Sequence, residues 1–166
     1  MSKGLLLHVG CGGDPLPEWA AGYKETRLDI DDTYHPDIIA NMTDMGDIGT
    51  YDVICCNHAL EHLFPYETEK ALKEFHRVLN DGGYVVIFVP DLQDIKPTEE
   101  VLYMSPAGSI TGLDMIYGHR KQLKDKPYML HKNGFIKETL ENEMKKVFDR
   151  VEVKRFPYNL MAVGVK

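Results

Sequence analysis

The sequence predicts an α/β domain built on a doubly wound, mostly parallel sheet with a C-terminal antiparallel hairpin. Short, nearly continuous apolar runs recur between Leu5 and Pro90 and suit strands buried on both faces of a parallel sheet. An amphipathic stretch separates two of these runs, and two further runs close the chain. At 166 residues without an internal repeat, the chain is long enough for one core, so we expect a single domain over residues 1–166.

Seven apolar runs predict the strands of this domain. The parallel strands are expected at residues 5–9, 26–30, 37–40, 51–56 and 84–89. The fifth run is the clearest, because its β-branched and aromatic residues follow two glycines and end at Pro90. The last two runs, 151–156 and 160–165, are joined by three residues, a connection short enough for a hairpin.

Two helices and one irregular segment fill the remaining chain. Residues 66–79 repeat apolar side chains at helical spacing, begin after Pro65 and end at an Asn-Asp-Gly-Gly turn. Residues 137–148 predict a second helix with one buried stripe. Residues 92–132 mix prolines and glycines with apolar residues that follow no period, which is typical of a lid or binding loop.

The charge and the cysteines narrow the classes of function. The chain has 19 Lys and Arg against 26 Asp and Glu, and its formal charge of −7 creates no field that attracts nucleic acid. Three cysteines, two of them adjacent in a predicted strand (Cys55 and Cys56), make no disulfide framework and indicate a reducing, cytoplasmic location. The apolar run after Lys3 is interrupted by His8, and no stretch reaches the roughly 20 apolar residues of a membrane span, so we expect no membrane association.

A glycine-rich turn and an acidic residue lie at the ends of the first two predicted strands. Residues 10–13 (Gly-Cys-Gly-Gly) follow the first strand, where the lack of a Cβ lets a ligand approach the backbone. Asp29 lies about 20 residues further on, where an acid accepts hydrogen bonds from ribose hydroxyls. Pro15 stands in the place of the third glycine of a dinucleotide fingerprint, and no helical pattern follows it. The site therefore suits an adenosine ligand without phosphate, of which S-adenosylmethionine is the common example.

Further motifs follow these two in a fixed order. They are residues 10–19 (GCGGDPLPEW), 28–31 (LDID), 36–45 (PDIIANMTDM), 51–63 (YDVICCNHALEHL) and 79–83 (LNDGG). In this ordered set the chain resembles the class I S-adenosylmethionine-dependent methyltransferases, and within them a compact, single-domain group. The resemblance implies a Rossmann-like fold and a transferase that uses S-adenosylmethionine and releases S-adenosylhomocysteine.

The resemblance also implies a set of cofactor contacts. The glycine turn (residues 10–12) would pass beneath the methionine moiety, and Asp29 would hold the ribose hydroxyls. Ile30 and residues 41–42 would contact the adenine, and residues 57–58 would flank the sulfonium. The residues at these positions are His8, Gly10, Cys11, Gly12, Asp29, Ile30, Asn41, Met42, Asn57 and His58. His8, Asp14 and Asn41 depart from the family pattern, which more often has an acid, a glycine and an acid there.

Methyl transfer from a sulfonium is an in-line displacement on an activated carbon, so the protein mainly holds nucleophile, methyl and sulfur collinear. A hydroxyl or ammonium acceptor would need a base, for which His58, His119 and His131 are the candidates. We expect a small-molecule or sugar-type acceptor, selected by residues 92–132.

Two other functions remain open at this stage. One is a protein that binds S-adenosylmethionine without transferring its methyl group. The other is a zinc hydrolase, because His58, Glu61 and His62 match the inverted zinc-protease motif H-x-x-E-H. Pro65 follows this motif too closely for a long ligand helix, so we assign no metal ligand.

Overall fold

The computed structural model describes residues 3–166, which contain nine strands and three α-helices, and seven of these strands form one main sheet. The strands are β1 (Leu5–Val9), β2 (Lys24–Asp29), β3 (Ile38–Ile39), β4 (Tyr51–Asn57), β5 (Leu79–Pro90), β6 (Val101–Ser105), β7 (Gly108–Thr111), β8 (Arg150–Phe156) and β9 (Asn159–Val165). The helices are α1 (Pro65–Val78), α2 (Gly112–Tyr117) and α3 (Lys137–Lys145).

The main sheet has seven strands in the order β3-β2-β1-β4-β5-β9-β8. Strands β1 to β5 pair in parallel, whereas β9 is antiparallel to both β5 and β8. The predicted α/β fold and its C-terminal hairpin are therefore confirmed. The strand order reverses between β1 and β4, and ligands bind open sheets of this kind at the carboxyl ends of the strands beside such a reversal.

One face of the sheet is covered by α1 and α3. Phe75 of α1 and Met144 of α3 are fully buried in the same apolar cluster as Val9 and Ile54 of the sheet. Packing is close at Gly164 of β9, where a Cβ would lie 2.8 Å from the terminal methyl of Met144. This interior orders the strands whose ends form the site.

On the opposite face of the sheet, the largely irregular segment between β1 and β2 covers β1 and β4. Leu6 and Val53 pack with Ala20, which belongs to the single 3-10 turn Glu18–Ala20 between β1 and β2. Cys55 and Cys56 are fully buried in the sheet, as predicted, and burial raises the pKa of the Cys55 thiol to about 12. Both cysteines therefore act as core residues.

Helix α1 forms where the sequence predicts it, but the strand after it is longer than predicted. Pro65 occupies the first helical position, and the Glu67 carboxylate accepts from the backbone N–H of Phe64 at 2.9 Å. Leu79 then pairs directly with Tyr51, so residues 80–83 form a bulge within β5 instead of a turn before it. The predicted strand 37–40 is reduced to Ile38–Ile39.

Residues 92–132 contain regular structure that the sequence pattern did not reveal. The hairpin β6-β7 leads directly into α2, which begins with a reciprocal cap: Asp114 N–H donates to Thr111 Oγ1 at 3.1 Å, and Thr111 N–H donates to Asp114 Oδ2 at 3.1 Å. Burial disfavours the Asp114 carboxylate, but hydrogen bonds from Thr111 and Arg120 outweigh it and lower its pKa to about 2. Within residues 3–166, none of the helices has the length and apolar character that crossing a bilayer requires.

Candidate functional site

A cavity of about 360 Å³ opens at the carboxyl ends of β1, β2 and β4. This volume lies within the range of small-molecule and cofactor sites. Eight of the ten predicted cofactor-contacting residues line it, namely Gly10, Gly12, Asp29, Ile30, Asn41, Met42, Asn57 and His58. These residues come from four separate stretches of sequence, which the parallel sheet brings together at one edge.

The glycine turn forms one wall of the cavity in a conformation that needs glycine. Gly10 has φ +63° and Gly12 has φ +45°, both in the left-handed region. A Cβ on Gly10 would lie 2.4 Å from the Cβ of Ala59, so the turn contacts the chain after β4 without a gap. The Gly10 N–H donates to the Leu28 carbonyl at 2.8 Å, which ties the turn to β2.

Asp29 connects this turn to the following loop. Its Oδ2 accepts from the Gly12 N–H at 2.7 Å, and its Oδ1 accepts from the Asp31 N–H at 2.9 Å. A carboxylate has about four lone-pair positions, so each oxygen retains the capacity to accept a further hydrogen bond. The buried carboxylate thus both shapes the turn and offers acceptors toward the cavity.

Arg27 supports the turn from behind, and sequence reasoning missed it. Its guanidinium donates to the Gly12 carbonyl at 2.7 Å, to the Asp14 carbonyl at 3.0 Å and to Glu25 Oε1 at 3.1 Å. The sequence held one indication of this role, because polar residues occupy alternate positions of β2, a strand expected to be buried. The planar guanidinium has five N–H donors in a fixed fork, so it reaches acceptors that lie in different directions around it.

Two of the predicted contacts, His8 and Cys11, do not line the cavity. The His8 side chain is buried and donates from Nδ1 to Glu25 Oε1 at 2.8 Å. The Cys11 side chain is also buried, and burial raises the pKa of its thiol although Arg27 opposes the shift. These residues lie behind the turn, on the side where Arg27 and Glu25 support it.

The end of β4 forms the second wall. His58 has φ +51°, donates its backbone N–H to the Phe88 carbonyl at 2.9 Å, and donates from Nδ1 to Glu61 Oε1 at 3.3 Å. Burial disfavours the charged forms of both side chains, but their mutual attraction outweighs it, so the pKa of His58 is raised and that of Glu61 is lowered. The His58 side chain is 43% exposed and lines the cavity.

The zinc-protease interpretation of this segment is not supported by the backbone. That motif needs both histidines on one helical face. Only the single 3-10 turn Leu60–His62 forms here, and the left-handed conformation of His58 separates it from that turn.

Residues 92–132 close the cavity from the opposite side. Ala107, Tyr128, Met129 and Lys132 line it, together with Tyr34, which the sequence did not single out. The segment is fastened by a hydrogen bond from the Tyr128 hydroxyl to Asp31 and by one from the Lys126 ammonium to the Tyr34 hydroxyl.

The two other candidate bases, His119 and His131, belong to residues 92–132 but not to the cavity lining. His131 donates from Nδ1 to the Met115 carbonyl at 2.9 Å, and its ring lies 5.2 Å from that of His62. Of the three candidates, only His58 faces the cavity directly.

Solved structures with a similar fold include methyltransferases. The 1,6-didemethyltoxoflavin-N1-methyltransferase of Burkholderia thailandensis, solved with bound 1,6-didemethyltoxoflavin and S-adenosylhomocysteine, matches with a TM-score of 0.66 and 15% identity over 99% of this chain and 72% of that chain. An S-adenosylmethionine-dependent methyltransferase from Methanosarcina mazei matches with a TM-score of 0.67 and 16% identity over 100% of this chain and 93% of that one.

A third match differs in length. This chain spans 51% of an O-methyltransferase family protein of B. thailandensis, with 99% of its own residues covered, 11% identity and a TM-score of 0.63. At such identities the likeness concerns the fold. A comparison with curated proteins finds no match.

The family itself is shown by the sequence. A family model described as a methyltransferase domain matches residues 2–152, which is most of the chain. The class I methyltransferase resemblance of the ordered motifs is thereby confirmed, and the chain belongs to the methyltransferase domain family.

Proposed function

We propose that the protein transfers a methyl group from S-adenosylmethionine to a small-molecule acceptor by in-line displacement. The observation that carries this proposal is the cavity bounded by the glycine turn and Asp29 on one side and by residues 92–132 on the other. Membership of a methyltransferase family supports the reaction type. The proposal extends to S-adenosylhomocysteine as the product.

The cofactor fits along the turn and the ends of β2 and β3. Asp29 accepts from the ribose hydroxyls, and Ile30, which is 59% exposed, offers an apolar surface for adenine. Asn41 offers an amide to the adenine edge, although Thr43 already donates to its Oδ1 from the backbone at 3.0 Å. This arrangement directs the methionine portion toward Gly12 and the sulfonium toward Asn57 and His58.

The acceptor fits between the end of β4 and residues 92–132. His58 and Lys132 supply polar groups there, and Met129 and Ala107 supply apolar ones. Because residues 92–132 form one wall of the cavity, they limit the size of the acceptor to that of a small molecule such as a sugar. Collinear placement of acceptor atom, methyl and sulfur supplies most of the rate.

His58 is the base that this geometry favours for an acceptor that must lose a proton. It faces the cavity, and its ring is oriented by the hydrogen bond to the buried Glu61 carboxylate. Such a carboxylate fixes the tautomer and stabilises the imidazolium that forms when the base accepts a proton.

The direct test is a calorimetric titration of the wild-type chain with S-adenosylhomocysteine and with ATP. We expect one equivalent of S-adenosylhomocysteine to bind and ATP to bind at least about tenfold more weakly, because Asp14 and Asp29 flank the turn and only a single 3-10 turn, not an α-helix, lies between it and β2. Equal affinity for ATP, or no heat with S-adenosylhomocysteine, contradicts the proposal. Binding without S-adenosylhomocysteine release from S-adenosylmethionine across panels of small alcohols, amines and sugars favours the binding-only alternative.

Replacing Arg27 with alanine is expected to weaken S-adenosylhomocysteine binding about tenfold, because the Gly12 and Asp14 carbonyls lose a charged donor that fixes the turn. The measurement is the same titration. Arg150→Ala, at an exposed position of β8 at the far edge of the sheet, is the matched control and should bind like wild type. An Arg27→Ala protein with wild-type affinity would show that the turn holds its shape without the guanidinium.

A further inference from the structure

A buried carboxylate and two histidines meet beside the cavity. Glu61, His62 and His131 each offer a ligand atom, and these atoms lie within 4.8 Å of one another. Glu61 and His62 belong to the turn after β4, whereas His131 comes from the end of the segment 92–132. The fold therefore brings together residues that are 70 positions apart in the sequence.

The Glu61 carboxylate has an oxygen without a partner. Glu61 is 1% exposed, its Oε1 accepts from His58, and among residues 3–166 its Oε2 meets no hydrogen-bond donor. Buried polar atoms are nearly always satisfied, and an unpaired carboxylate oxygen is especially costly. Such an atom, next to two imidazoles, indicates that a cation completes the site.

Both histidines are oriented as metal ligands are. His62 Nδ1 lies 3.2 Å from the Leu130 carbonyl, and His131 Nδ1 lies 2.9 Å from the Met115 carbonyl. A carbonyl only accepts, so both Nδ1 atoms carry a proton, and in the neutral imidazole each Nε2 has a free lone pair. Ligating histidines commonly show this pattern, with one nitrogen on the metal and the other bonded to a backbone carbonyl.

We propose that Glu61 Oε2, His62 Nε2 and His131 Nε2 bind a divalent transition-metal ion of the zinc class. Two imidazoles and one carboxylate are a donor set that zinc takes in three-ligand sites with an open position. Bonds of about 2.1 Å place tetrahedral ligand atoms about 3.4 Å apart, so the three side chains need to approach one another by at most about 1.4 Å when the ion binds.

Of the three proposed ligands, His62 lines the cavity, so the ion would lie beside it with its open position on the cavity side. If the proposed methyl transfer holds, an oxygen of the acceptor can occupy that position, and the acceptor class narrows to compounds with a hydroxyl or carboxylate beside the methylated atom. This consequence rests on the proposed function, whereas the metal site itself does not.

Titration of the purified full chain with Co²⁺ and Zn²⁺ tests the site. We expect one Co²⁺ per chain with visible d–d absorption, displaced by Zn²⁺, and little response to Mg²⁺, which disfavours imidazole. Glu61→Gln and His131→Ala should each lower Co²⁺ affinity at least about 100-fold. His119→Ala, which removes another histidine of the segment 92–132 outside the cluster, is the matched control and should bind Co²⁺ like wild type.

S-adenosylhomocysteine binding and thermal unfolding of each variant report whether it is folded. The inference is overturned if folded wild-type protein binds no stoichiometric Co²⁺, or if both Glu61→Gln and His131→Ala bind it like His119→Ala. Co²⁺ binding without S-adenosylhomocysteine binding would retain the metal site and remove the proposed function. The reverse result would remove the metal site alone.

Discussion

Alanine in place of Asp29 is expected to lower the affinity for S-adenosylhomocysteine at least about 100-fold. Two ribose hydroxyls lose a charged acceptor, and each such hydrogen bond contributes roughly 1.5 to 3 kcal/mol. The turn also loses its link to the loop after β2, because the Gly12 and Asp31 N–H groups donate to the two Asp29 oxygens. Titration calorimetry measures the loss directly.

Two further variants separate the charge of Asp29 from its position. Asn at residue 29 keeps the side-chain shape and one acceptor oxygen, so we expect an intermediate loss of about tenfold. Asp32→Ala removes an exposed carboxylate three residues away that does not line the cavity and should leave the affinity unchanged. If Asp29→Ala binds as tightly as Asp32→Ala, the cofactor does not lie along β2 as proposed.

The strand ends of this site could be predicted because their signals are local. A buried parallel strand requires a continuous apolar run, and the residue after such a run lies at the carboxyl edge of the sheet. Asp29 was therefore predicted from its place at the end of the second run, whereas Asn57 was implied only by the family resemblance; both line the cavity.

The hairpin and helix within residues 92–132 were missed for a different reason. β6 and β7 are short strands separate from the main sheet, so their burial follows no clear alternation. One local signal was present, since Thr111 and Asp114 stand three residues apart before the apolar residues of α2, the spacing of a capping box. The capping box predicts the start of a helix even where the helix is too short to show a hydrophobic period.

The rest of the site depends on contacts between distant parts of the chain. The Tyr128 hydroxyl donates to Asp31 across 97 positions, and His131 reaches Glu61 across the segment 92–132. No local pattern encodes such a pair. The motif H-x-x-E-H offered His58 and His62 as ligands with Glu61 as base, but the left-handed backbone at His58 separates that residue from the turn that holds Glu61 and His62.

Alanine in place of Gly10 is expected to lower the free energy of unfolding by about 3 kcal/mol and to abolish S-adenosylhomocysteine binding. A left-handed residue other than glycine costs roughly 1–2 kcal/mol, and overpacking costs roughly 1–3 kcal/mol more. Both costs apply, because Gly10 has φ +63° and its new Cβ would lie 2.4 Å from the Cβ of Ala59. Urea unfolding and titration calorimetry measure the two effects.

Two other glycines separate backbone strain, steric contact and ligand contact. Gly46 has φ +68°, and among residues 3–166, apart from its two chain neighbours, no atom would lie within 4 Å of a Cβ there, so Gly46→Ala should cost only about 1–2 kcal/mol and retain binding. Gly12, at φ +45° and equally open, lines the cavity, so Gly12→Ala should match Gly46→Ala in stability yet bind S-adenosylhomocysteine much more weakly. Equal unfolding free energies for Gly10→Ala and Gly46→Ala would mean that Ala59 moves away and accommodates the new Cβ of residue 10 without cost. The two walls of the cavity would then be held apart by something other than the contact between Gly10 and Ala59.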